Sequence, residues 1–164
     1  MMFREMRRKR QQLGEEETLG ILERGSHGVL ALAGDGGYPY ALPISYVYDR
    51  GKLYFHGAKK GHKLDAIARC SKASFCVVER DEVVPEEYTT YFRSVIAFGT
   101  ITLLEGEEKL AAIEKLAEKY APGFSGEHRA KAIAADWAPL EMFALSIEYA
   151  TGKEAIELVK RREP

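Results

Sequence analysis

The sequence predicts an α+β fold, mainly β, in which hairpin-linked strands form an antiparallel barrel with helices at its periphery. Three observations carry this. Apolar residues recur at every second position in several runs bounded by glycine- and aspartate-rich turns. The helical stretches are inserted without regular alternation, which disfavours a doubly wound sheet. Finally, 164 residues, 46% of them hydrophobic, suffice for one core of ordinary size. No linker or repeat divides the chain, so residues 1–164 read as one domain, with residues 1–12 as a basic arm.

The elements follow in order. GEEETLGILERG (14–25) is spaced as a short helix: its leading acids suit the positive end of the dipole, and Gly25 suits its stop. HGVLALA (27–33) is a buried strand and GDGG (34–37) a tight turn. In YPYALPISYVYD (38–49), Tyr38, Tyr40, Leu42, Ile44, Tyr46 and Tyr48 share one parity, as in a strand. Pro39 and Pro43 share the other parity and cannot donate to a ladder. This strand therefore lies at an edge or leaves backbone groups to a ligand.

DRG turns the chain into the strand KLYFHG (52–57). HKLDAIARC (62–70) is helical, with Leu64, Ile67 and Ala68 on one stripe. KASFCVVE (72–79) is a strand, DEVVPEEYTT (81–90) a polar loop, and YFRSVIAFGTITLLE (91–105) a long strand bent or bulged at Gly99. GEEKLAAIEKLAEKY (106–120) is an amphipathic helix, apolar at Leu110, Ile113, Leu116, Ala117 and Tyr120. EHRAKAIAADW (127–137) suits another short helix. EMFALSIEYA (141–150) is the last long strand, followed by TGK and a short strand in EAIEL (154–158).

Charge and composition exclude several functions. The net charge of −1 provides no global field for nucleic acid. Five cations in FREMRRKR (3–10) read as a solvated arm ahead of a clamp on an anion or RNA. No run approaches the roughly 18 apolar residues of a membrane helix, and the basic start is not followed by a signal-peptide core, so the expected location is the cytoplasm. Cys70 and Cys76 lack CxxC or zinc-knuckle spacing and read as reduced packing residues, with no metal expected. GFSGE (123–127) is not a GxSxG elbow.

The chemistry concentrates in YFHGAKKGHKLDAI (54–67), where a strand hands over to a helix. Leu53 and Phe55 point to the core; Tyr54 and His56 point the other way. Gly61 precedes a helix whose first turn holds His62 and Lys63, with Lys59 and Lys60 just before. Unpaired N–H groups, a positive dipole end and lysines make a phosphate site in physical terms. A solvated corner is the commoner use of a glycine–lysine loop. The pattern is no P-loop, because Gly57 and Gly61 are four apart and no Ser or Thr follows Lys63. As zinc ligands, His56 and His62 lack further partners.

The stretch from His27 to Ile67, with MRRKR, EVVPEEYTTYFRSVIAFGTI and SIEYATGK in the same order, resembles the flavin-binding split barrels related to pyridoxamine 5'-phosphate oxidase. It is most similar to the nitroimidazole-resistance branch, from residue 1 to about 153. The resemblance implies a six-stranded antiparallel split barrel, a homodimer, and FMN, ahead of FAD, at the subunit interface. It places Pro43, Ile44, Ser45 and Tyr46 with backbone groups toward the isoalloxazine edge. His56, Gly57 and Ala58 would line the ring and ribityl chain. Lys59, Gly61, His62 and Lys63 would hold the phosphate. Arg93 and Ser94 are further candidates, reaching over from the partner subunit. Trp137 is a candidate cover for the ring, against the more frequent packing role of a lone tryptophan.

Three functions follow for testing. The first is an FMN-dependent oxidoreductase acting on a small flat acceptor such as a nitroaromatic or quinone, with His56 as proton donor or substrate contact. The second is a flavin-binding carrier or sensor without catalysis. An RNA-binding barrel comes third, disfavoured by the balanced charge.

Overall fold

The structure, a computed structural model, describes residues 3–162. The chain runs through α1 (Glu15–Arg24), β1 (His27–Ala33), β2 (Pro39–Ser45), β3 (Val47–Asp49), β4 (Lys52–Ala58), α2 (His62–Arg69), β5 (Lys72–Val84), β6 (Thr89–Leu104), α3 (Gly106–Tyr120), α4 (Gly126–Asp136), β7 (Leu140–Glu154) and α5 (Ile156–Arg162). All seven strands form one antiparallel sheet in the order β2-β1-β5-β6-β7-β4-β3. No helix among the described residues is long and apolar enough to cross a membrane.

A six-stranded barrel becomes seven-stranded because the run 38–49 breaks at Tyr46. β2 pairs with β1 at one edge of the sheet, and β3 pairs with β4 at the other. A single residue joins them, so the sheet has to curl until its two edges meet. The result is a split barrel, sealed by the chain rather than by a ladder. Pro39 and Pro43 fall on the edge strand β2, where missing donors cost least.

Tyr46 locks this seam. Its side chain is fully buried, its hydroxyl donates to the Leu22 carbonyl of α1 at 2.7 Å, and its ring meets Phe75 edge-on at 4.9 Å. Phe55 lies 5.2 Å from Phe75 and 5.4 Å from Phe143, which makes an aromatic centre for the barrel. A second, smaller core forms on the outer face of β4 and β7, where Tyr54, Met142 and Ala144 pack with Ala112 and Leu116 of α3.

Four local expectations are corrected. The polar stretch 81–90 is not a loop. β5 continues to Val84 and β6 begins at Thr89, around a 3₁₀ turn at Pro85–Glu87. This two-stranded ribbon extends past the last β7 partner at Glu154, and none of residues 81–90 is buried, so that stretch has no apolar alternation to display. EAIEL is not a strand either: Ile156–Arg162 is helical, with Ala155 and Val159, four apart, both buried. In α2 the buried pair is Ala66 and Ile67, with Ala68 exposed. In α3 the inward stripe is Lys109, Ala112 and Leu116, and Leu110 faces out. The Lys109 stem is tolerated there because its ammonium reaches the Leu140 carbonyl at 2.6 Å.

Gly99 marks a bulge as expected: the β6–β7 register shifts between Phe98 and Gly99, and a Cβ there would collide with the Ser146 backbone. The basic arm is more than a solvated tail. Phe3 stacks on Tyr149 at 5.0 Å, and the Gln11 amide donates to the Glu154 carbonyl at 2.9 Å, while Arg4, Arg7, Arg8, Lys9 and Arg10 stay exposed.

Candidate functional site

β4 delivers His56, Gly57 and Ala58 to its end because its alternation sends Leu53 and Phe55, both fully buried, the other way. The Lys59 N–H donates to the Pro139 carbonyl at 3.2 Å and ties the joint to the start of β7. Gly61 has φ 124°, a conformation closed to other residues without strain, and it launches α2. Its carbonyl accepts from the Leu64 and Asp65 N–H groups, at 3.0 and 3.2 Å. The N–H groups of His62 and Lys63 precede the first intrahelical bond and are available to an anion.

Lys63 is the distinctive group. Its side chain folds back over the strand end, so closely that a Cβ on Gly57 would lie 2.5 Å from the ammonium. The ammonium sits 5.3 Å from the centroid of the Phe143 ring and pairs with no carboxylate among the described residues. Desolvation lowers its pKa from the usual lysine value. A half-buried cation without a counter-ion, beside free helix N–H groups, is the state that a phosphate would complete.

His62 is placed differently from Lys63. Its ring stacks on Tyr40 at 4.0 Å, and its Nε2 lies 3.4 Å from the Asp35 carboxylate, which Arg69 also holds. Only its backbone N–H faces the helix mouth. His56 makes no side-chain hydrogen bond among the described residues. Desolvation, and then the Lys63 ammonium, push its imidazole below the ordinary pKa.

The seam residues divide. Pro43 is exposed on β2, Ile44 packs against the core, and Ser45 is half-buried near His56. Tyr46 does not offer its backbone to a ligand. Its N–H donates to the Tyr120 hydroxyl at 3.0 Å, and its carbonyl accepts from Tyr120 and Lys119 at 2.7 and 3.0 Å. Lys119 and Tyr120 thus clamp the α3 end onto the seam. Nothing in the spacing of Tyr120 signals this, since its position on the apolar stripe accounts for it equally well.

Arg93 and Ser94 are not brought to this corner within one chain. His56 aligns through Met142 with Leu104, and Ser94 lies ten residues away along β6, about 33 Å of strand. Arg93 is held there by Glu17 at 2.9 Å, with Glu79 at 3.6 Å and Glu154 at 3.8 Å. Trp137 takes the packing role: it lies against the second core, with the Lys109 ammonium 4.6 Å from its ring centroid, and it lines a different cavity from His56.

The family model for pyridoxamine 5'-phosphate oxidase matches residues 14–154. The chain belongs to the pyridoxamine 5'-phosphate oxidase family. Within that family span lie both halves of the β4–α2 junction and the whole sheet, while the basic arm falls outside it. Solved structures share the fold of this pyridoxamine 5'-phosphate oxidase family member. A candidate 5-nitroimidazole antibiotic resistance protein from Bacteroides thetaiotaomicron is 18% identical, with 87% of this chain and 86% of that chain covered and a TM-score of 0.70. An FAD-binding protein from Mesorhizobium loti is 24% identical, with 88% and 97% covered and a TM-score of 0.63. An FAD- and heme-binding protein from Mycobacterium smegmatis is 22% identical, with 94% and 81% covered and a TM-score of 0.70. No curated protein matches the chain.

Proposed function

We propose that this protein binds a flavin at the β4–α2 junction and acts as an oxidoreductase on a small flat acceptor. The observation that carries the reading is Lys63, a half-buried ammonium at the start of α2 without a counter-ion among the described residues. The FAD-binding neighbours of the same fold support a flavin as its ligand. The junction gathers one anion site, which suits the monophosphate of FMN. When bound, the flavin supplies electron or hydride transfer. The chain's own residues then anchor the phosphate through Lys63, Lys59 and the helix N–H groups, and present His56 to the acceptor.

The deciding experiment is the absorption spectrum of the purified protein, with chromatography of the released cofactor. Bands in the near ultraviolet and blue, and a flavin that migrates as FMN, support the proposal. A colourless protein that takes up no added flavin rejects it. Anaerobic reduction by NADH or NADPH followed by acceptor addition separates enzyme from carrier. A flavin that no acceptor reoxidises favours the carrier.

Desolvation and the Lys63 ammonium both disfavour the protonated imidazole, so a hydrogen bond to the acceptor suits His56 better than delivery of a stored proton. His56→Ala is expected to lower turnover roughly tenfold, the worth of one neutral hydrogen bond, with an unchanged flavin spectrum. Wild-type rates would remove His56 from the reaction.

The homodimer reading rests on the outer face of the sheet. Val29, Val78, Ile96 and Phe98 are 41%, 59%, 42% and 38% exposed. Val29 opposes Cys76, which opposes Ile96, so the patch runs across β1, β5 and β6. Sedimentation is expected to give twice the chain mass, and Ile96→Glu to give a monomer. A monomeric wild-type protein would reject the pairing.

A further inference from the structure

His56 borders a cavity that phosphate anchoring does not use. The space, about 380 Å³, lies beneath the α3–α4 hairpin and falls within the range of small-molecule sites. Its walls are aliphatic: Ile113, Leu116 and Ala117 from α3, and Ile133 from α4. Four polar residues reach it, namely Ser45, His56, Tyr120 and Asp136. The Tyr120 hydroxyl is consumed by the seam, where it bonds the Ser26 carbonyl and the Tyr46 backbone. Ser45 and His56 make no side-chain hydrogen bond among the described residues, so their polar atoms are open to a ligand.

The lining contains no lysine or arginine. An anion placed here would meet aliphatic walls and the Asp136 carboxylate, with no cation in the lining itself to offset its lost hydration. An uncharged ring would lose little on transfer and would gain apolar contact. The Lys59–Lys63 corner lies outside this lining, so the cavity and the anion site are separate features that share His56 as their boundary.

We propose that the cavity under the α3–α4 hairpin binds an uncharged, mostly apolar ring compound whose one polar edge is taken by His56 and Ser45. Its identification as the acceptor site rests on the flavin reading above, since Ser45 and His56 are then shared between flavin and acceptor. The cavity's charge selectivity does not rest on that reading.

The test is equilibrium dialysis with 2-naphthol and 2-naphthoate, which share a ring system and differ in charge at neutral pH. Neither is redox-active toward a resting flavin, so binding is read without turnover. Flavin-loaded and flavin-stripped proteins are both titrated. At least tenfold tighter binding of 2-naphthol than of 2-naphthoate is expected. Ala117→Trp fills the cavity from α3 and Ala132→Trp from the exposed side of α4. Each is expected to weaken 2-naphthol binding at least tenfold at unchanged flavin affinity. Ala132→Trp keeps the test decisive if Ala117→Trp fails to fold. Equal binding of the two probes, no binding to either form of the protein, or wild-type 2-naphthol binding in a folded variant overturns the proposal. If the protein takes up no flavin, the oxidoreductase reading falls, and selectivity in the flavin-free protein still decides the cavity.

Discussion

Lys63→Ala is expected to weaken flavin binding by roughly ten- to a hundredfold, read as quenching of flavin fluorescence on titration of the flavin-free protein. The magnitude is that of one charge-assisted phosphate contact, roughly 1.4–2.8 kcal/mol. Stability is expected to hold or rise, because the ammonium is half-buried without a counter-ion among the described residues and its pKa is lowered by desolvation alone. Loss of affinity without loss of stability separates a ligand-holding lysine from a structural one. Gly57→Ala checks the same group from below. Its Cβ would lie 2.5 Å from the Lys63 ammonium and 3.0 Å from the adjacent carbon, both at the free end of a flexible chain. The side chain can swing away, so the fold survives while the ammonium leaves its place, and a weaker loss of affinity is expected. Unchanged affinity in both variants would put the phosphate elsewhere.

Phe55→Ala is expected to cost about 4 kcal/mol in a denaturant titration, whereas the adjacent His56→Ala stays within about 0.5 kcal/mol of wild type. The difference is one residue of strand parity. Phe55 is fully buried and touches both Phe75 and Phe143, so truncation leaves a ring-sized void at the centre of the barrel. His56 points outward and makes no hydrogen bond that its loss would orphan. Comparable midpoints for the two variants would mean that the side chains of β4 do not alternate as described.

That parity was legible in KLYFHG alone, as were the bounds of β1 and α3, a bend or bulge at Gly99 and, as one of two alternatives, the edge position of the proline-bearing strand. Each follows from local periodicity or from the special stereochemistry of glycine and proline. Misread elements share a different cause. The ribbon at 81–90 buries neither face and so displays no period, and EAIEL is too short to distinguish two periods. The break at Tyr46 is invisible in a run of uniform parity, because it is imposed by where β2 and β3 find partners at opposite ends of the sheet.

The site divides the same way. By itself the sequence determined the junction: an outward imidazole at a strand end, a glycine that permits a positive φ, and lysines at a helix mouth. All of these arise within fourteen residues. Only the tertiary structure decided which of these groups is uncommitted. Lys63 crosses to Phe143, His62 is taken by Asp35 and Tyr40, and Tyr120 occupies the backbone of Tyr46 from 74 residues away. Periodicity reports which side of its own element a residue faces. It carries no record of which distant group arrives there, and whether a polar atom is left free for a ligand depends on that arrival.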